Sequence, residues 1–113
     1  MMKKGQEIKF RRGDHKQLVF NVTLSDDVDS LANVEKIYWY VDDNLISGET
    51  FQASDPILDK EKTDMAIKTS MVTIEITTVE SKAIDSGTYW HELKIEDSAG
   101  NVSTLARGKF SVF

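Results

Sequence analysis

The chain has no cysteine, only two histidines and no excess of basic residues. The first absence excludes disulfides, cysteine-ligated zinc and thiol catalysis. It fits a reducing compartment, or a particle assembled in one, although bacterial surface proteins often lack cysteine too. The net charge of −5 argues against a nucleic-acid partner, which would call for a basic face. No apolar run approaches the length of about 18 residues that spans a bilayer, so no membrane insertion is expected. The opening "MMKKGQEIKF" is cationic, but no apolar stretch follows it as in a secretory signal.

What is present is a period of two. "QLVFNVTL" puts Leu18, Phe20, Val22 and Leu24 on one face. "KIYWYVDD" alternates Ile37, Trp39 and Val41 against Tyr38 and Tyr40. "MVTIEITT" alternates Val72, Ile74 and Ile76 against Thr73, Glu75 and Thr77. "TYWHELKIE" sets Tyr89, His91, Leu93 and Ile95 against Trp90, Glu92, Lys94 and Glu96. Ile8 and Phe10 near the start, and Phe110 and Val112 near the end, add two more strands. Such alternation marks strands with one face buried and one wet, as in antiparallel sheets. Polar turns separate them: "RRGDHK", "SDDVDS", and "EDSAGN", a hairpin in which Gly100 and Asn101 can take positive φ. The length of 113 residues suits a single domain, 1–113, with one modest core.

Residues 44–70 do not alternate. Asp55 and Pro56 can cap and open a short helix. The favoured reading is irregular structure with short strands around the "DKEKTD" turn. "TTVESKAI" reads as a single helical turn.

The string Asp85-x-Gly87-x-Tyr89-x-His91 resembles the start of an immunoglobulin strand F, with histidine in the cysteine's place. It predicts a tyrosine corner, with the Tyr89 ring inside and its hydroxyl bonded to backbone a few residues upstream. Gly87 is expected to let the chain turn tightly. Asp85 can accept local backbone donors or pair with Arg11, Arg12 or Arg107. Trp39 stands where a strand C tryptophan belongs, facing Phe20 or Val22 and His91. Packing there must offset the roughly 2–4 kcal/mol that a bridge would contribute. The expected fold is therefore an all-β, immunoglobulin-like antiparallel sandwich of about seven strands without a disulfide.

His91 reads as a neutral, hydrogen-bonded core histidine. His15 lies in a turn, and no nucleophile or metal spacing accompanies either histidine. No catalytic residue, metal or cofactor is expected. Arg12-Gly13-Asp14 reads as a strand-linking turn. The sequons at Asn21 and Asn101 read as chance matches, Asn21 lying mid-strand. Asp26, Asp27 and Asp29 share one end of such a sandwich with Glu96 and Asp97. They read as solvated loops, with calcium the alternative. Tyr38, Tyr40 and Trp90 fall on one outer face and are the expected contact residues, unless residues 44–70 fold over them.

"IKFRRGDHKQLVFNVTL" resembles the opening of small phage and prophage virion proteins. "TTVESKAIDSGTYWHELKIEDSAGNVSTLARGKFSVF" resembles their ending, and the N-terminal domain of phage upper baseplate proteins is similar in outline. The two blocks cover about half the chain. The resemblance implies a non-enzymatic tail, baseplate or head-attached part, assembled in the bacterial cytoplasm and residing in the virion. Its partners would be other virion proteins or further copies of itself. The alternatives are a carbohydrate- or cell-surface-binding module and an immunoglobulin-like domain of a bacterial surface protein.

Overall fold

The computed structural model describes residues 7–23, 30–46, 48 and 50–113. Among these residues eight strands form two sheets. They are β1 (Ile8–Phe10), β2 (Lys16–Asn21), β3 (Lys36–Asp42), β4 (Leu58–Glu61), β5 (Met65–Ile67), β6 (Met71–Ile76), β7 (Gly87–Glu96) and β8 (Val102–Val112). The larger sheet runs β1-β8-β7-β3-β4 and the smaller β2-β6-β5. In immunoglobulin terms β2, β6 and β5 take the places of strands B, E and D. β8, β7, β3 and β4 take those of G, F, C and C′. Every pairing is antiparallel except that of β1 with β8.

The alternation builds the core as expected. Leu18, Phe20, Ile37, Trp39, Val41, Val72, Ile74, Ile76, Leu93, Phe110 and Val112 are buried between the sheets, joined by Ile8 and Phe10. Leu24 lies outside the described residues. A register shift between Leu93 and Lys94 places both Leu105 and Ala106 inside. Such a bulge lets two successive residues oppose one on the partner strand.

In place of a disulfide, Trp39 donates from its indole nitrogen to Nδ1 of His91 at 3.2 Å. Phe20, rather than Val22, faces that imidazole, with ring centroids 5.9 Å apart. Phe110 closes the cluster at 5.9 Å from Trp39. An indole only donates, so Nδ1 must accept, and His91 is the neutral imidazole the sequence predicts.

Local chemistry accounts for the connections. The favoured reading of the middle segment holds: β4 and β5 flank a short 3-10 turn at Lys62–Asp64. Thr77 caps α1 (Thr78–Lys82) in a reciprocal capping box with Glu80. Gly13 has φ +93° and its amide donates to the buried Ser81 hydroxyl at 2.7 Å. Arg12 donates twice to the Lys82 carbonyl, at 3.1 and 2.7 Å. The Arg-Gly-Asp turn is thus fastened to α1 as a structural element. At the β7–β8 hairpin Gly100 has φ +84°, whereas Asn101 does not take positive φ. The Asp97 side chain accepts from the Asn101 amide and side chain and from the Ala99 amide, and these bonds, those of Asn101 foremost, hold its carboxyl below the usual range.

The tyrosine corner is formed. The Tyr89 hydroxyl donates to the Asp85 carbonyl at 2.6 Å. Gly87 does not act as expected: its φ is not left-handed, and a Cβ there would meet the Tyr89 hydroxyl at an ordinary 3.6 Å. Among the three arginines it is Arg12 that approaches the Asp85 carboxylate, at 4.0 Å. That carboxylate is almost fully exposed, so the pair contributes little.

Candidate interaction surface

The outer face of the larger sheet carries Tyr38 and Tyr40 from β3 and Trp90, Glu92 and Lys94 from β7. The register sets Tyr38 opposite Lys94, Tyr40 opposite Glu92 and Asp42 opposite Trp90. Alternation alone makes this a wet face. It is wet at one end only.

Tyr38 and Tyr40 are 1% and 0% exposed, so neither is an available contact residue. The connection between β3 and β4 folds back over them. The Tyr40 hydroxyl donates to Glu92 and accepts the Ile46 amide at 3.0 Å. Lys94 donates to the Thr50 carbonyl at 3.0 Å, and its ammonium lies 3.9 Å from the Glu92 carboxylate. The Tyr38 hydroxyl donates to Asp59 at 2.9 Å, and the Phe51 ring packs against it at 5.6 Å. The two tyrosine rings stack at 6.0 Å.

This strap pulls charge out of water. Glu92 and Lys94 are buried, yet among the described residues no buried side-chain nitrogen or oxygen lacks a hydrogen-bond partner. A buried ion pair is sustained only when its remaining donors and acceptors are met. Here the strap's own backbone meets some of them. Burial lowers the Lys94 pKa, with Glu92 pulling the other way. Burial, then the hydrogen bonds to Asp59 and Glu92, push the Tyr38 and Tyr40 phenols far above their ordinary value. The phenols therefore act as fixed, protonated donors.

Trp90 lies beyond the strap and is 36% exposed. Ile57 donates its amide to Val41 and so sits beside Asp42, on the side away from Trp90. Ile57 (37%), Leu45 (36%) and Trp90 leave a discontinuous apolar surface at this end of the sheet, with Asp42 between two of them. Sequence reasoning missed Leu45 and Ile57, because both lie in the non-alternating segment. At the opposite end of the strap, Ile37, Phe51, Gln52 and Glu61 line a cavity of about 290 Å³. The lysines at its rim are engaged: Lys62 with the Ala32 and Val34 carbonyls, Lys36 with Glu96.

The remaining candidates separate cleanly. Asn21 ends β2 on the surface, and the Asn101 amide donates to Asp97. Asp26, Asp27 and Asp29 lie outside the described residues. Among the described residues no three acidic or histidine side chains gather as a metal site. His15 lies on the surface 3.9 Å from the Glu75 carboxylate, whereas His91 is buried.

No protein-family model matches the chain, and no curated protein sequence matches it either. Among solved structures, the NK cell receptor Nkp44, described as a triggering partner in natural cytotoxicity, is similar with a TM-score of 0.54. The match covers 98% of this chain and 100% of that one at 15% identity. A likeness at that identity is one of fold. The chain is an all-β immunoglobulin-like sandwich without cysteine.

Proposed function

We propose that the protein is a non-enzymatic contact module, and that its partners are the other proteins of a phage virion, as a tail, baseplate or head-attached adaptor. The virion assignment is supported by the resemblance of the opening and closing blocks of the sequence. The contact assignment is supported by one observation: of the three outward aromatics, Trp90 alone stays at the surface, with Leu45 and Ile57 exposed at the same end of the sheet. Partly exposed aromatics of this kind, framed by polar groups, are favoured anchors of protein contacts. A sugar-binding module would want a platform of rings, and two of the three are roofed over.

Particles assembled with the full chain and then purified test this reading. The chain is expected to remain with the particles. Trp90→Ala is expected to lose that association while keeping its circular dichroism and melting temperature. A chain absent from particles overturns the virion assignment. A Trp90→Ala chain that incorporates normally overturns the contact surface, and glycan binding abolished by Trp90→Ala would favour the carbohydrate alternative.

A further inference from the structure

Among the described residues the sandwich has four sheet edges, and three of them are short: β1 has three residues, β4 four and β5 three. β2 has six, without proline, and pairs with β6 in unbroken register from Lys16 to Asn21. The orientation of its peptide groups follows from one bond just beyond the strand. The Val22 amide donates to the Ser70 carbonyl at 2.9 Å, and Val22 and Ser70 continue the same register. Even-numbered residues of β2 therefore bond β6. The amides and carbonyls of Gln17, Val19 and Asn21 point to the opposite, open side. Among the described residues nothing bonds them. A groove of about 330 Å³ runs along this side between β1 and β2.

Natural edges of this length are usually blunted by proline, bulges or charges. This one carries a single lysine, Lys16, at its end. We infer that the β2 edge pairs with the β2 edge of a second copy of the chain, antiparallel about a twofold axis at Val19.

The sequence is self-complementary in that register. Val19 meets its own copy, and Gln17 meets Asn21 on both sides of the axis. All three pairs use the outward peptide groups. Lys16 falls opposite Val22 and His15 opposite Thr23, so no like charges face each other. On the outer face, Val19 already neighbours Thr73, and Thr73 neighbours Ala66. Pairing would extend this into an uncharged row across six strands. Val19, 45% exposed, would be covered at its centre. An isologous interface of this kind is closed and ends at the dimer.

The absence of cysteine makes the register directly testable in the full-length protein. Across the axis the two Val19 Cα atoms would lie about 5.5 Å apart. The two Gln17 Cα atoms would be separated by about 14 Å along the strands. With a short thiol cross-linker, Val19→Cys is expected to give covalent dimer alone. Gln17→Cys and Asn21→Cys are each expected to stay monomeric alone and to cross-link when mixed. Light scattering of the native chain should show its mass rising from one chain to two with concentration. Val19→Lys, which sets two cations face to face, should remain at one chain and melt as the native chain does when diluted to one chain. A native mass of one chain at every concentration overturns the inference. So does a Val19→Lys dimer, or cross-linking of Gln17→Cys alone as readily as Val19→Cys.

Discussion

Tyr40→Phe removes one oxygen and leaves the ring in place, so it isolates the strap's attachment. That oxygen donates to the buried Glu92 carboxylate and accepts the Ile46 amide at 3.0 Å. A hydrogen bond to a charged group contributes about 1.5–3 kcal/mol, and a neutral one about 0.5–1.5 kcal/mol. Glu92 keeps Lys94 at 3.9 Å, so its charge is not stranded. The expected loss is therefore about 2–4 kcal/mol of unfolding free energy. For a chain of 113 residues, each kcal/mol lowers the melting temperature by roughly 4 °C, which makes the shift about 10 °C. Urea denaturation gives the free energy, and amide exchange at Ile46 reports whether the strap loosens before the sandwich unfolds. Two-state unfolding with a loss under about 0.5 kcal/mol, and Ile46 exchange unchanged, would refute the claim that this hydroxyl pins the strap.

Other consequences are smaller or of different kind. Tyr89→Phe removes the corner bond to the Asp85 carbonyl and should cost about 1 kcal/mol, read from the shift of the urea midpoint. All three tyrosines hold their protons above the ordinary phenol pKa of 10.0, burial being the leading cause in each. With the folded pKa raised, this stabilisation is fully present below about pH 10 and is lost as pH rises beyond it. The tyrosinate absorbance of Tyr38 and Tyr40 in an alkaline titration should therefore appear together with unfolding, and ionisation of more than one tyrosine in the folded protein near pH 10 would contradict their burial. Burial opposes ionisation of Glu80, but its bonds with Lys60 and Thr77 hold its pKa below 4.5. Its contribution is present above that pH and falls away as the solution is acidified through the folded pKa. Glu80→Gln should flatten this part of the acid limb of a stability–pH curve.

The sandwich was legible because its strands follow one rule. In β6 and β7 the inward residue is apolar or is His91, whose partner Trp39 stands in the neighbouring strand β3. The corner was legible because it is local: Tyr89 and Asp85 are four residues apart, and their bond needs no knowledge of the rest of the chain. The outer face stayed open between contact residues and a cover from residues 44–70, for the opposite reason. Whether Tyr38 and Tyr40 meet water depends on Ile46, Thr50 and Phe51, and nothing in their spacing announces where they pack. The buried pair of Glu92 and Lys94 carried the same lesson. Charges at alternate positions normally mean solvent, and the Thr50 carbonyl of the strap, the Tyr40 hydroxyl and the pair's own attraction help make burial tolerable. A hint lay in the sequence nonetheless: a strand with three successive aromatics, Tyr38, Trp39 and Tyr40, has apolar bulk on both faces and calls for a cover on each.

The strap closes the aromatic face of the larger sheet and leaves Trp90 at its surface. Photochemically induced nuclear polarisation tests it in one spectrum, since the dye must touch a ring to enhance it. Trp90 should be enhanced, and Trp39, Tyr38 and Tyr40 should not. Enhancement of Tyr38 or Tyr40 in the folded protein, or a silent Trp90, would contradict it.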